Sequence, residues 1–315
     1  MGEYDNLGRV SKQSFLASTI FFFIVAVISV TIHFSIRYRY IRLHIQNEFT
    51  LDDGFLLLGL VFLIIAFSLL FTFIDAMYLA EAFVYGGPSF SERAPSNWMQ
   101  TIFDLKKMKV VTLCCLWCSI ICVKMSFLFF FKKLIDKLPS MMLYWKITLG
   151  VNLVVSVYGL LKYLLVCPYY YDLKALQCNR GYLAERFFAT TIAQIVADVL
   201  SDLMIVVIPW FIIWKIQASL MQKAALIFSL CLTIIFVGVT IVRSTGLMVE
   251  NETIDAVWGT YWLFITAELG IIMASGISFR SFFIAARRMS QSYPSFEQRS
   301  GSGATSRKPS VALQP

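Results

Sequence analysis

The sequence contains few charged residues. Asp, Glu, Lys and Arg make up only 15% of its 315 residues, whereas a soluble protein has about 25%. Hydrophobic residues make up 58%, and the mean hydropathy is +0.73. This composition excludes an ordinary soluble protein and indicates a chain that crosses a lipid bilayer several times.

Histidine and the common catalytic motifs are also scarce. The chain has two histidines, His33 and His44, and neither an H-E-x-x-H nor a G-x-S-x-G pattern. These patterns are typical of zinc proteases and of serine hydrolases of the α/β type. The sequence therefore gives no reason to predict a metal site or a nucleophilic catalytic residue.

Long apolar runs dominate the sequence. A helix needs roughly 20 residues to cross about 30 Å of hydrocarbon, and seven runs reach that length: residues 14–36, 54–76, 108–131, 143–166, 188–214, 224–248 and 256–279. We predict an all-α fold, a seven-transmembrane helix bundle over residues 14–279. A short tail, 1–13, precedes it, and a basic, mostly disordered tail, 280–315, follows it.

The basic residues are distributed unevenly between the two predicted sides. Most Lys and Arg residues outside the runs fall on the side of the loops after the first, third and fifth runs and of the C-terminal tail. By the positive-inside rule, this side is the cytosol and the N terminus lies outside. The net charge of +8 then suggests contact with anionic lipids of the inner leaflet and not with nucleic acid. Asn251 begins a glycosylation sequon on the predicted outer side.

The fifth run carries two aspartates near its middle. Asp198 and Asp202 are four residues apart, so they share one face of a helix, and that face must turn away from lipid. Lys124 in the third run either reaches the cytosolic interface or forms an internal ion pair. Arg243 lies near the outer end of the sixth run, and Glu268 lies near the middle of the seventh. These five residues are the predicted polar network.

Seven cysteines are present. Cys167 and Cys178 lie in the predicted outer loop, where a disulfide between them is reasonable in an oxidising compartment. The competing pairing joins one of them to Cys114 or Cys115. An odd count leaves at least one thiol free, most simply Cys231.

The order of several segments resembles the fungal rhodopsin-domain integral membrane proteins, which include the satratoxin-cluster proteins and, more distantly, seven-helix pathogenicity receptors of fungi. The segments are LDDGFLLL, VKMSFLFFFKKL, CPYYYDLKALQC, DVLSDLMIVVIPWFIIWKIQ, VTIVRSTGL and AELGIIMAS. The family's recurring polar positions correspond to Asp53, Lys124, Cys167, Cys178, Asp202, Pro209, Arg243 and Glu268. The resemblance implies a seven-helix membrane protein linked to secondary metabolism or to sensing, in the plasma membrane or an endomembrane.

The resemblance does not imply a pigment. Microbial rhodopsins attach retinal to a lysine in helix seven, and the seventh run here has none, so we predict no cofactor. An Asp-Arg-Tyr motif after helix three and an Asn-Pro-x-x-Tyr motif in helix seven are missing as well. Coupling to a G protein is therefore unsupported, and the cytosolic partner is not identified.

Two functions fit these residues. The first is a sensor or accessory membrane protein whose buried polar network binds a small amphiphilic ligand. A static network that only holds the helices together is the plainer interpretation of the same residues. The second is an intramembrane cyclase or isomerase, in which an apolar site keeps one carboxyl protonated as a general acid. Asp202 and Glu268 would be its catalytic residues.

Overall fold

A computed structural model describes residues 9–42, 51–86, 98–135, 139–165, 182–215, 230–231, 234–243, 248–249, 253–254 and 256–292. Its helices are α1 (Lys12–Arg42), α2 (Leu51–Gly86), α3 (Trp98–Ile135), α4 (Pro139–Leu165), α5 (Tyr182–Lys215), α6 (Ile234–Arg243) and α7 (Ala256–Ser292). Two short strands, β1 (Met248–Val249) and β2 (Thr253–Ile254), form an antiparallel hairpin before α7.

Six of these helices are long and apolar enough to cross a membrane: α1, α2, α3, α4, α5 and α7. Their outward surfaces are apolar, with Phe21, Val154 and Leu200 more than half exposed, as expected where lipid is the solvent. The prediction of a helical membrane protein is confirmed. Of the predicted sixth run, 224–248, the structure describes residues 230–231, the ten-residue helix α6 and the first strand residue.

The hairpin is a small departure from the all-α prediction. Met248 pairs with Ile254 and Val249 with Thr253. β-Branched residues favour strands, which suits three of these four positions. The predicted sequon residue Asn251 lies between the strands, outside the described residues.

Helix α3 forms the centre of the bundle. It packs against α2, α4, α5 and α7, whereas α1 packs mainly on α7 and only lightly on α2. Leu116, Ile120, Val123 and Leu128 of α3 are almost fully buried. Most of α3 is surrounded by other helices, so a polar side chain on its buried faces can be satisfied away from lipid.

One glycine allows α3 and α4 to approach closely. A Cβ atom on Gly159 of α4 would lie 2.4 Å from the ring of Trp117 of α3. The Trp117 indole donates a hydrogen bond of 3.2 Å to the carbonyl of Ser156, one turn before Gly159. The indole therefore lies against the backbone of α4, and a side chain at position 159 would clash with it.

Helix α5 continues through Pro209. A proline lacks the N–H that would bond to the carbonyl four residues earlier, here that of Ile205. This interruption lies seven residues after Asp202, toward the C-terminal end of α5. Both aspartates therefore lie in a regular part of α5.

Candidate functional site: buried ion pairs between α3, α5 and α6

One face of α5 carries a row of buried polar side chains. Gln194, Asp198 and Asp202 follow one another at four-residue spacing, and Ser201 lies beside them. Helical residues three or four apart are neighbours on one face. All four side chains are at most 5% exposed. The row therefore faces the protein interior, as the spacing of the two aspartates predicts.

Lys124 of α3 reaches this row. Its Nζ lies 2.6 Å from Asp198 Oδ1 and 2.7 Å from Asp202 Oδ1, and it donates a further hydrogen bond of 3.0 Å to Ser201 Oγ. These three contacts use all three donors of the ammonium group. Of the two alternatives for Lys124, the structure has the internal ion pair.

Arg243, the last residue of α6, joins the same group from the other side. Its Nη2 lies 2.8 Å from Asp198 Oδ2. We call Lys124, Asp198, Asp202 and Arg243 the ion cluster. It contains two positive and two negative groups when all are ionised, so it carries no net charge, which lowers the cost of placing ions in a low-dielectric interior.

A fifth charged group lies near the ion cluster. Lys162 of α4 is 8% exposed and within electrostatic range of both Arg243 and Asp198. The sequence analysis missed this residue because it falls near the outer end of the fourth run, where a lysine is expected to extend to the interface.

Several polar atoms of the site could donate or accept further hydrogen bonds, and we call them the reserve atoms. Among the described residues, Gln194 Oε1 and Nε2, Asp202 Oδ2 and Arg243 Nη1 are buried without a hydrogen-bond partner. Buried polar atoms are nearly always bonded to protein or water. These atoms include both donors and acceptors, so they match a group that donates and accepts at once.

Glu268 stands apart from the ion cluster. It is fully buried in α7, next to Ala267 and one turn from the buried Phe264. Neither carboxyl oxygen has a hydrogen-bond partner within the part of the chain that the structure describes. The structure thus brings together four residues of the predicted network and leaves out the fifth.

A second buried polar group joins the C-terminal part of α1 to the first turn of α2. His33 Nε2 lies 2.9 Å from Asp53 Oδ1, and Arg37 forms an ion pair with Asp53 Oδ2. All three side chains are at most 4% exposed. Ser126 of α3 donates a hydrogen bond of 2.9 Å to the carbonyl of Asp52. The sequence analysis did not propose this group, although His33 and Arg37 are four residues apart on one helix face.

The cysteines that the structure describes are all free thiols: Cys114, Cys115, Cys118, Cys122 and Cys231. The competing pairing through Cys114 or Cys115 is therefore wrong. The pairing of Cys167 with Cys178 lies outside the described residues. Within the described ranges, no group of three or more His, Cys, Asp or Glu side chains could hold a metal ion.

Long apolar helices around a buried ion cluster define a polytopic α-helical membrane protein. Comparison with protein families matches residues 36–285 to the fungal rhodopsin domain. Because the match covers most of the chain, the protein belongs to the fungal rhodopsin domain family. Searches of curated proteins and of solved structures each gave no match.

Proposed function

We propose that this protein is a seven-helix, receptor-like membrane protein that senses a small amphiphilic molecule. Its N terminus lies outside, and α6 is part of a seventh crossing over residues 224–248. The observation that carries the proposal is the position of Asp198, whose two oxygens bind Lys124 of α3 and Arg243 of α6. One carboxylate on α5 thereby links three helices.

Such a linkage suits a switch between two arrangements. Separating a buried ion pair leaves a charge without compensation, at a cost of about 3–5 kcal/mol. Lipid does not offer water as a substitute partner. The three helices therefore stay together until a ligand supplies replacement bonds, and only a ligand with different affinity for the two arrangements shifts the equilibrium.

The reserve atoms of the site define the class of ligand. Gln194 both donates and accepts, Arg243 Nη1 donates and Asp202 Oδ2 accepts. A hydroxyl, carboxylic acid or amide on an otherwise apolar skeleton complements this set. The apolar skeleton also favours entry through the bilayer, because such a molecule partitions into lipid. Small lipid-soluble metabolites belong to this class, which agrees with a link to secondary metabolism or pathogenicity.

Affinity selection tests the proposal. The full-length protein in nanodiscs would be incubated with a lipid-soluble extract of the producing fungus, and retained compounds identified by mass spectrometry. A retained compound would then be titrated against wild type, Gln194→Leu and Asp202→Asn. Each lost hydrogen bond is worth about 1 kcal/mol, so each variant should bind about fivefold more weakly.

Ser68→Ala provides the control. This hydroxyl bonds to the carbonyl of Ile65 on its own helix and lies on the exposed side of α2, so its loss should leave binding unchanged. Equal affinity of wild type and both site variants would contradict the proposal. Retention of ordinary membrane phospholipids alone would also contradict the proposal.

The alternative function, an intramembrane cyclase or isomerase, also has one observation in its favour. Glu268 is a carboxyl group in an apolar setting without a hydrogen-bond partner in the described ranges, as a general acid requires. Metabolites and transcripts of a deletion strain separate the two functions. One accumulating intermediate with unchanged transcripts supports the enzyme, whereas a coordinated change of pathway transcripts without an intermediate supports the sensor.

A further inference from the structure

Helices α1 and α2 are connected at two levels. Near the middle of the helices, the rings of Phe23 and Phe67 stack with centroids 4.0 Å apart. At the end of the predicted cytosolic side, Asp53 binds His33 and Arg37. Helix α1 packs mainly on α7 and only lightly on α2, and residues of both helices line a separation between them.

A groove of about 470 Å³ occupies this separation. We call it the α1–α2 groove. Its lining consists of Val30, Thr31, Phe34, Ser35 and Tyr38 of α1 with Leu57 and Leu60 of α2. Thr31 and Leu57 are exposed while Val30 is buried, so the groove has a buried floor and opens toward lipid.

The hydroxyl groups of Thr31 and Ser35 in the groove are satisfied by their own helix. Thr31 Oγ1 donates to the carbonyl of Val27 at 2.8 Å, and Ser35 Oγ donates to the carbonyl of Thr31 at 2.7 Å. They therefore require no water, and a hydrocarbon chain can lie against them without leaving a polar group unbonded. The groove is suited to an acyl chain and not to a hydrated ligand.

Polar and basic residues mark one end of the groove. Tyr38 is 64% exposed, and amphipathic aromatic residues concentrate at the headgroup level. Arg39 beside it is exposed. Arg37 is already paired with Asp53. An anionic headgroup above the groove would therefore meet the positive charge of Arg39.

We propose that the α1–α2 groove binds one acyl chain of an anionic phospholipid of the cytosolic leaflet, with its headgroup beside Tyr38 and Arg39. The acyl chain fills a space whose walls would otherwise lack contacts on one side. The headgroup provides the selectivity, because acyl chains of all phospholipids are chemically alike. This site is separate from the ion cluster, and it rests on the orientation proposed above for the choice of leaflet.

Native mass spectrometry of the full-length protein tests this proposal. The protein in detergent would be titrated separately with phosphatidylserine and phosphatidylcholine that carry the same acyl chains. One arginine near an anionic lipid is worth about a fivefold change in affinity. We therefore expect about fivefold stronger retention of phosphatidylserine and loss of that preference in Arg39→Gln. Lys146→Gln, at an exposed lysine of α4, removes the same charge elsewhere and should keep the preference.

A second pair of variants tests the groove itself. Leu60→Trp fills it and should reduce phosphatidylserine retention at least about threefold through lost packing contacts. Leu58→Trp adds the same ring on an exposed face outside the groove and should change nothing. If Leu60→Trp does not fold, Leu57→Phe narrows the opening instead.

Three results would overturn the proposal. Equal retention of both lipids by wild type would remove the headgroup preference. Equal effects of Leu58→Trp and Leu60→Trp would separate lipid binding from the groove. If the wild type is a dimer and Leu60→Trp is a monomer with unaltered lipid retention, a second copy of the chain and not a lipid occupies the groove.

Discussion

Asp198 of α5 lies between Lys124 of α3 and Arg243 of α6, with its two carboxylate oxygens 2.6 Å and 2.8 Å from their nitrogens. Asp202, one turn further along α5, binds Lys124 at 2.7 Å and has no other ion-pair partner among the residues that the structure describes. The two aspartates are equally buried. They differ in how many helices each connects, and their substitutions should therefore differ in effect.

Asp198→Asn should destabilise the protein more than Asp202→Asn. Without Asp198, Lys124 keeps Asp202, but Arg243 loses its carboxylate inside the bundle. A charge left there costs about 3 kcal/mol. Asp202→Asn also leaves the cluster with one excess positive charge, but Lys124 and Arg243 both keep Asp198 as a partner, so it should cost less, about 1.5 kcal/mol. The free energy of unfolding in mixed detergent micelles measures both, and equal losses would contradict this account of the cluster.

Gly159→Ala should destabilise the contact between α3 and α4. The new methyl group would lie 2.4 Å from the Trp117 ring, and such overpacking costs about 1–3 kcal/mol. Gly150→Ala, on the same helix, meets nothing within 4 Å. Its better helix propensity should raise stability by up to about 1 kcal/mol. Thermal unfolding of both variants measures these changes in stability. An unchanged stability of Gly159→Ala would show that α3 and α4 move apart to accommodate the methyl group.

Asp53→Asn should lower stability by about 2–3 kcal/mol, because it removes the buried carboxylate that both His33 and Arg37 bind. Asp75→Asn on the same helix is the matched control. Asp75 pairs with Lys12 but is 77% exposed, so its loss should cost less than about 1 kcal/mol. The unfolding free energies of the two variants should be compared in one detergent. Similar losses would indicate that burial of the Asp53 group contributes nothing.

The orientation can be tested through the two termini and Asn251. With the N terminus outside, an N-terminal epitope should be detected on unpermeabilised protoplasts or sealed outward-facing vesicles, and a C-terminal epitope only after permeabilisation. If the Asn251 sequon is used, Asn251→Gln should remove a mobility shift caused by glycosidase. Both epitopes on the same side would contradict seven crossings and leave the six long helices that the structure describes.

The sequence predicts the helices well because their signal is local. A long apolar run has few alternatives to a spanning helix, and residues 143–166, for example, correspond closely to α4 at Pro139–Leu165. The spacing of Asp198 and Asp202 also gives their common face directly. Lys124 and three buried acids, Asp198, Asp202 and Glu268, could be named, but the sequence alone does not distinguish an ion pair of Lys124 from an extension to the interface.

Contacts between helices are less accessible from the sequence. Glu268 lies near the middle of the span Val257–Gly276, but position along a helix does not determine the direction in which a side chain points, and Glu268 does not reach the ion cluster. His33 and Arg37 were missed for the opposite reason. They lie at the end of an apolar run, where basic residues are expected to face the cytosol, and their burial against Asp53 depends on how the helices pack.

Glu268→Leu should preserve or increase stability. Neither carboxyl oxygen has a partner among the described residues, so the substitution removes an unsatisfied polar group, which can stabilise a protein by about 1 kcal/mol. The free energy of unfolding in mixed micelles measures this effect, and Glu268→Gln, which keeps a polar group of similar size, is the control. A loss of more than about 2 kcal/mol in Glu268→Leu would imply that the carboxyl group is bonded in the folded protein.

A variant that folds well but no longer responds to its ligand, or no longer turns over a substrate, would assign Glu268 a functional role, because a purely structural residue would not separate stability from activity.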